Sequence, residues 1–254
     1  MSRLRVLLHQ SRYELRAFAR NKQSRYFTLV LPPVLLVVLV GAFGGHAVGP
    51  DHVDSSAYYV PGLAALAIVA ASFVNLVVSL TAQREAGVLK RRRATPLPAW
   101  ALIGGRAITA IVVSSTSLAL MLAIGRLAYG IRPAASALPA VAVAAIVGSA
   151  GLCAVAYAVA ALVRSADAVQ PMVQAIVVPL YLISGVFAPG LELPGWLRDV
   201  ADVFPVEHLA HALHTAYEPG VGSTFDLRDL AVLALWGAAG LAFALRRFTW
   251  TPTN

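Results

Sequence analysis

The sequence predicts an all-α integral membrane fold of six spanning helices, with both termini on the cytoplasmic side. Three observations predict it. Charged residues are 13% of the 254, against 59% apolar, where a soluble domain carries about a quarter charged residues. The mean hydropathy is +0.74, and the missing charge leaves long uncharged runs of the length a bilayer-crossing helix needs. The basic residues, finally, fall in alternate segments between those runs. The division read from this is residues 1–26, ahead of the membrane, and residues 27–254, the transmembrane domain.

Residues 1–26 hold seven basic side chains. On a helical wheel Leu4, Leu7, Leu8, Leu15 and Phe18 share one face, while Arg5, Arg12, Arg16 and Arg20 gather on another. That pattern predicts an amphipathic helix lying in the cytoplasmic interface, its arginines near anionic membrane lipids. The plainer reading is a cluster of charge that only sets topology. The first apolar run begins near Phe27 with no clean small-residue cleavage site after it, so it is read as a retained signal anchor.

Six runs are long enough to cross: about Phe27–Gly45, Tyr58–Leu80, Trp100–Ile124, Leu138–Val163, Pro171–Ala188 and Leu227–Leu245. Helices satisfy every backbone amide within the segment, and these runs lack the alternation of barrel strands. With the amino terminus inside, 15 of the 20 basic residues fall in cytoplasmic segments and four (Arg126, Arg132, Arg198, Arg228) outside, Arg106 lying in the third run. The positive-inside rule therefore sets the orientation. Nine of the 12 acidic residues take the other side. The formal charge of +8 is thus a topology signal, and a nucleic-acid partner is not predicted. The lone Cys153 excludes an intramolecular disulfide and a cysteine-based metal cluster.

The cytoplasmic loop 81–99 carries five basic residues and closes on the pair Pro96 and Pro98. It reads either as a charge cluster kept inside or as a short helix, bounded by Gly87 and Pro96, that presses into a partner. Glu85 beside this charge predicts pairing with a basic residue, and Arg106 is read as snorkelling to the interface or pairing with Glu85.

The run Arg84-Glu85-x-Gly87-x-Leu89-Lys90-Arg91-x-Arg93-x-Thr95-Pro96-Leu97, followed by Gly104-Gly105-Arg106, resembles the loop after the second span in type-2 ABC transporter permeases. A second element, Ser184-Gly185-x-Phe187-x-Pro189 with Trp196 beyond it, is similar to the end of the fifth span in the same family. The resemblance implies a permease subunit of a bacterial ABC exporter, in the plasma (inner) membrane. It implies a loop (Arg84, Glu85, Gly87, Leu89, Lys90, Arg91, Arg93, Thr95, Pro96) that docks onto a separate ATP-binding cassette ATPase. It also implies a homodimer, or a heterodimer with a related permease. Residues Ser184, Gly185, Phe187, Pro189 and Trp196 would form an outer gate, and two short re-entrant helices would occupy 189–226. The physics of 190–226 agrees: the stretch is too polar to cross and too apolar for a free loop, as Trp196, Leu197, Phe204, Leu209 and Leu213 show.

His208, His211 and His214 recur every three residues beside Glu207. They could share a helix face and hold zinc, but no zinc-hydrolase motif surrounds them, and a polar face of an outer helix is the reading adopted, with no metal. Polar residues inside the runs are either contacts along a translocation path or helix–helix hydrogen bonds. Asn75, Ser79, Gln174 and Tyr181 are taken as path candidates, and Ser114–Ser117 as hydrogen bonding. The sequence has no phosphate-binding Gly-x-x-x-x-Gly-Lys-Ser/Thr loop. It therefore predicts neither a catalytic residue nor a cofactor on this chain, ATP and Mg belonging to the partner subunit. The function expected is half of the export path for a hydrophobic or amphipathic drug, antibiotic or lipid. The alternatives are an exporter of a lipid-linked polysaccharide, or an ion-coupled carrier, for which mid-span acids are missing.

Overall fold

The computed structural model describes residues 3–44, 47–48, 53–94, 98–131, 133–163, 165–187, 194–217 and 225–247. Six helical segments within it are long and apolar enough to cross a membrane: Lys22–Phe43, Tyr58–Glu85, Trp100–Tyr129, Ala135–Leu162, Ala166–Ile183 and Leu227–Arg247. The chain is a multi-pass membrane protein. Among the described residues one short antiparallel ladder, β1 (Ala47–Val48) with β2 (Val53–Asp54), departs from the all-helical plan. Several span edges differ from the sequence reading by a few residues, two of them for a plain local cause. The fifth begins at Ala166, because the Ser165 hydroxyl accepts from the Asp167 amide (3.2 Å) and caps a polar first turn. The third runs on to Tyr129, where Gly130 takes the left-handed conformation (φ 70°) and ends it.

Helix α1 (Arg3–Arg20) packs along α7 (Ala99–Tyr129). Its buried stripe is neither the leucine face nor the arginine face but Gln10, Ser11 and Glu14, while Leu4 and Leu8 are exposed. The reason lies in α7. A Cβ on Gly104 would come within 2.8 Å of Leu7 Cδ1, and one on Gly105 within 2.6 Å of Gln10 Cγ. The two glycines let α1 lie close enough for Glu14 to reach Arg106.

The first span comprises α2 (Lys22–Arg25), a π-helical turn (Tyr26–Val30) and α3 (Leu31–Phe43). Pro32 and Pro33 have no amide to give, so the carbonyl of Thr28 loses both its four-residue and its five-residue donor. Ser117 of α7 donates to that carbonyl instead (2.9 Å). The Thr28 hydroxyl, fully buried, accepts from Asn75 (2.6 Å). The second span repeats the device with α4 (Ser55–Val69), a π-helical turn (Ala70–Val74) and α5 (Asn75–Glu85); Ser72 in its π-turn bonds Ser114 (3.0 Å). So Ser114 and Ser117 are helix–helix hydrogen bonds, as the sequence suggests.

The second span is the central one: 72% of its apolar window is buried, against 22% for the first and the sixth. Around it stand α3, α7, α8 (Leu138–Leu162) and α11 (Pro205–Tyr217). Helix α8 packs most extensively on α12 (Leu227–Arg247), where Gly151 and Gly237 face each other so closely that a Cβ on Gly237 would lie 2.9 Å from Gly151 Cα. Small residues that let backbones touch are how helices associate where lipid supplies no hydrophobic drive. Helix α9 (Ala166–Ile183), the fifth span, stands at the edge and leaves Met172, Ile176, Val178 and Leu182 uncovered.

Candidate functional site

The loop after the second span is a helical elbow. Helix α5 ends at Glu85, Gly87 turns the chain in the left-handed conformation (φ 66°), and α6 (Val88–Arg93) follows. Only glycine takes that conformation without strain, which is why the turn falls there. Two adjacent side chains at the elbow grip another turn, the one between α8 and α9. Arg84, 2% exposed, donates to the carbonyls of Ala160 (2.9 Å) and Val163 at the carboxyl end of α8. Glu85 accepts from the Ala166 amide (2.7 Å), the first residue of α9. A guanidinium thus meets the carbonyl end of one helix and a carboxylate meets the amide end of the next, each the charge the helix dipole favours there. Among the described residues no basic side chain pairs with Glu85, where the sequence had suggested one; its contact there is the amide end of α9. Arg106 does not snorkel. It is buried, 3.7 Å from Glu14 and 2.5 Å from Gln83.

Helix α6 is pinned on two sides. Leu89 enters the core at 2% exposure, and Arg92 pairs with Glu14 of α1. Glu14 thus joins α1, α6 and α7, a role that sequence reading missed because no local pattern marks an acid 78 residues from its partner. Lys90 and Arg91 remain exposed, with Arg91 also reaching the Ala86 carbonyl (3.4 Å) at the end of α5. The docking candidates therefore divide. Arg84 and Leu89 are covered by this chain, Glu85, Lys90 and Arg91 face outward, and Gly87 shapes the turn. The side chain of Arg93, and Thr95 and Pro96 altogether, lie outside the described residues.

Residues 7–217 match the family model described as ABC-2 type transporter. The chain belongs to that family. It is also 24% identical over 187 residues to the probable multidrug ABC transporter permease YbhR of Escherichia coli strain K12, and to the same-named protein of the O157:H7 strain. The alignment covers 74% of this chain and 48% of each relative, so the chain spans about half the length of the curated relatives it matches.

At the opposite end of this ABC-2 bundle, α9 closes at Ile183 and the chain turns through Ser184 and Gly185 (φ 69°). Ser184 donates back to Leu180 (2.7 Å), the Gly185 carbonyl accepts from Tyr58 (2.9 Å), and Phe187 packs edge-on against Tyr181. Three of the outer-gate candidates thus lie together against the second span. Trp196, on α10 (Gly195–Ala201), stands apart and 68% exposed, and Pro189 lies outside the described residues. Helix α11 is more than half-buried: Val206, His208, Leu209, Ala210, Leu213 and Ala216 are covered by α4, α8 and α12.

The three histidines do not share one environment. His208 (2.7 Å) and His211 (2.6 Å) each hold one oxygen of Asp229 in α12, and His208 also contacts the Asp202 carbonyl (2.8 Å). His214 instead lies against the Tyr58 ring, 4.3 Å between centroids. The hydrogen bond to Asp229 raises the pKa of His211, burial raises that of Glu207, and burial drives that of His214 down to about 4. His211, Asp226 and Asp229 bring one ligand atom each within 4.8 Å of the others, a grouping that could hold a cation. Yet both Asp229 oxygens are already engaged by imidazoles, and Asp226 caps α12 by accepting from the Asp229 amide (3.1 Å). The aspartates went unnoticed in the sequence because they join the histidines only through the docking of α11 on α12.

The four path candidates are not gathered in one place. Asn75 and Ser79 line a cavity of about 140 Å³ between α1, α5 and α7. Tyr181 is buried against α4 and donates to the Leu66 carbonyl (3.3 Å), and Gln174 is half-buried on α9. Asn75 and Tyr181 therefore also serve as ties between helices.

Proposed function

We propose that this chain is the membrane-spanning subunit of an ATP-driven exporter, forming half of the path for a hydrophobic or amphipathic drug, antibiotic or lipid. The observation that carries this reading is the Arg84–Glu85 grip. The exposed basic surface of Lys90 and Arg91 is joined by one rigid elbow to the start of α9, so a force applied there is delivered to the fifth span. A separate ATP-binding cassette ATPase is the partner that would supply the force, with ATP and Mg on that subunit. The multidrug permease name of the YbhR relatives favours drugs among the cargoes.

The remaining pieces fit this reading. With the elbow and both termini in the cytoplasm, the charge rule is obeyed. The exposed Leu4 and Leu8 of α1 then sit at the inner leaflet of a bacterial plasma membrane, in contact with lipid. Helix α11, with 13 residues, is too short to cross and enters from the outside as a re-entrant helix. The uncovered Met172, Ile176, Val178 and Leu182 of α9 form the seam with a second permease, identical or related. The His208–Asp229–His211 group locks α11 to α12 and holds no metal. Co-expression with a candidate ATPase is the test. Recovery of a complex in mild detergent, weakened at least tenfold by Lys90→Glu with Arg91→Glu, is the outcome this reading requires. No complex with any such ATPase, and no stimulation of its hydrolysis, would rule it out.

A further inference from the structure

The cavity between α1, α5 and α7 has a chemistry that transport as described leaves unused. Its lining is polar at Arg106, Glu14, Asn75, Ser79 and Thr109, and apolar at Phe18 and Val113. Arg106 is 5% exposed, and its Nη1 has no hydrogen-bond partner among the described residues. Its other contacts do not complete it. Nη2 donates to Gln83, and Nε lies 3.7 Å from Glu14 Oε1. That same oxygen already accepts from Gln10 (2.8 Å) and pairs with Arg92, so the acid is shared and does not neutralise Arg106 alone. A buried charged donor without an acceptor is costly, more so at membrane depth. About 140 Å³ is room for several waters or for one group of headgroup size. The Ser79 and Thr109 hydroxyls, now turned to the carbonyls of Leu76 and Gly105, can rotate to donate into it.

We infer that this cavity binds the phosphate of an anionic membrane lipid, with Arg106 Nη1 as the charged donor and Phe18 and Val113 beside the start of the acyl chain. A lipid is favoured over a soluble phosphate because the cavity lies between α1 and two membrane-spanning segments, those of α5 and α7, and has apolar lining at Phe18 and Val113. The site depends on the membrane fold alone and stands whatever the cargo or motor.

The test uses the full chain, purified and stripped of lipid, titrated with phosphatidylglycerol, phosphatidylcholine or inorganic phosphate. Thermal stability is followed, and retained lipid is read by native mass spectrometry. Phosphatidylglycerol should raise the melting temperature by several degrees and remain as a one-to-one adduct. Ser79→Leu, which fills the cavity but spares the Arg106 contacts, should weaken that response at least tenfold without changing the lipid-free melting temperature. Arg106→Gln should weaken it as much, Ser79→Leu being decisive should Arg106→Gln fail to fold. An equal response to phosphatidylcholine would overturn the anionic assignment, and an equal response to inorganic phosphate the lipid assignment. A Ser79→Leu response matching the parent would overturn the site.

Discussion

At the scale of single residues, Arg84 and Glu85 make a comparison in which position decides the outcome. Arg84 is buried on two backbone carbonyls, and leaving buried acceptors unpaired costs about 1–3 kcal/mol each. Arg84→Ala should therefore lower stability by roughly 2–4 kcal/mol, with Arg84→Lys in between, because an ammonium cannot fork across two carbonyls. Glu85 is exposed and its contact is a cap, so Glu85→Gln should cost at most about 1 kcal/mol. Chemical or thermal unfolding in detergent measures both. The histidines add a pH dependence. A folded pKa raised above the ordinary imidazole value means His211 contributes fully below about 6.5 and loses that contribution as pH rises through its folded value. For His214 the sign reverses: its folded value near 4 means stability is lost as pH falls from about 6.5 toward 4. Thermal stability should thus fall on both sides of about pH 6.5. His211→Gln should flatten the alkaline side, by only about 1–3 °C, since the imidazole is largely exposed.

Elements differ in how far the sequence revealed them. Spans were legible because their signal is local: twenty apolar residues announce themselves wherever they pack. The turn at Gly87 was legible for the same reason. The packing contact of helix α1 was not legible, because its wheel shows leucines and arginines while the residues it buries, Gln10, Ser11 and Glu14, are set by Gly104, Gly105 and Arg106 of α7. Those glycines supply the prediction at this scale. A side chain at Gly105 would meet Gln10 Cγ at 2.6 Å and Ser11 N at 3.4 Å. Gly105→Ala should be absorbed by movement of the flexible Gln10. Gly105→Val should lift α1 from α7 at a cost of about 1–3 kcal/mol, seen as new protease cleavage between residues 3 and 20. The depth of α11 was likewise hidden. Its composition is that of a half-covered surface helix, and only the convergence of α4, α8 and α12 turns His208 inward onto Asp229.

For the whole molecule, the bundle is two ends joined by a central span. Tyr58 holds Gly185 at one end of the second span, and Arg84 with Glu85 grips the α8–α9 turn at the other. The second and fifth spans are thus tied at both ends, directly at the Ser184–Gly185 turn and through the elbow at the start of α9. That arrangement suits a lever; under the proposed function the grip is a transmission element, and its loss should separate ATP hydrolysis from transport. The path itself was the least legible part of the sequence. Asn75, Ser79, Gln174 and Tyr181 are polar residues in apolar runs, and which of them faces a neighbour or a cavity depends on helix rotations that no single run encodes.

The measurement that tests this account most directly is the coupling ratio, transport per ATP hydrolysed, of Glu85→Gln reconstituted with the proposed ATPase partner in vesicles. The account predicts that the variant folds, binds the ATPase and keeps vanadate-sensitive hydrolysis within about twofold of the parent, while transport per ATP falls about fivefold (about 1 kcal/mol of lost coupling). An unchanged ratio, with the complex intact, would contradict it.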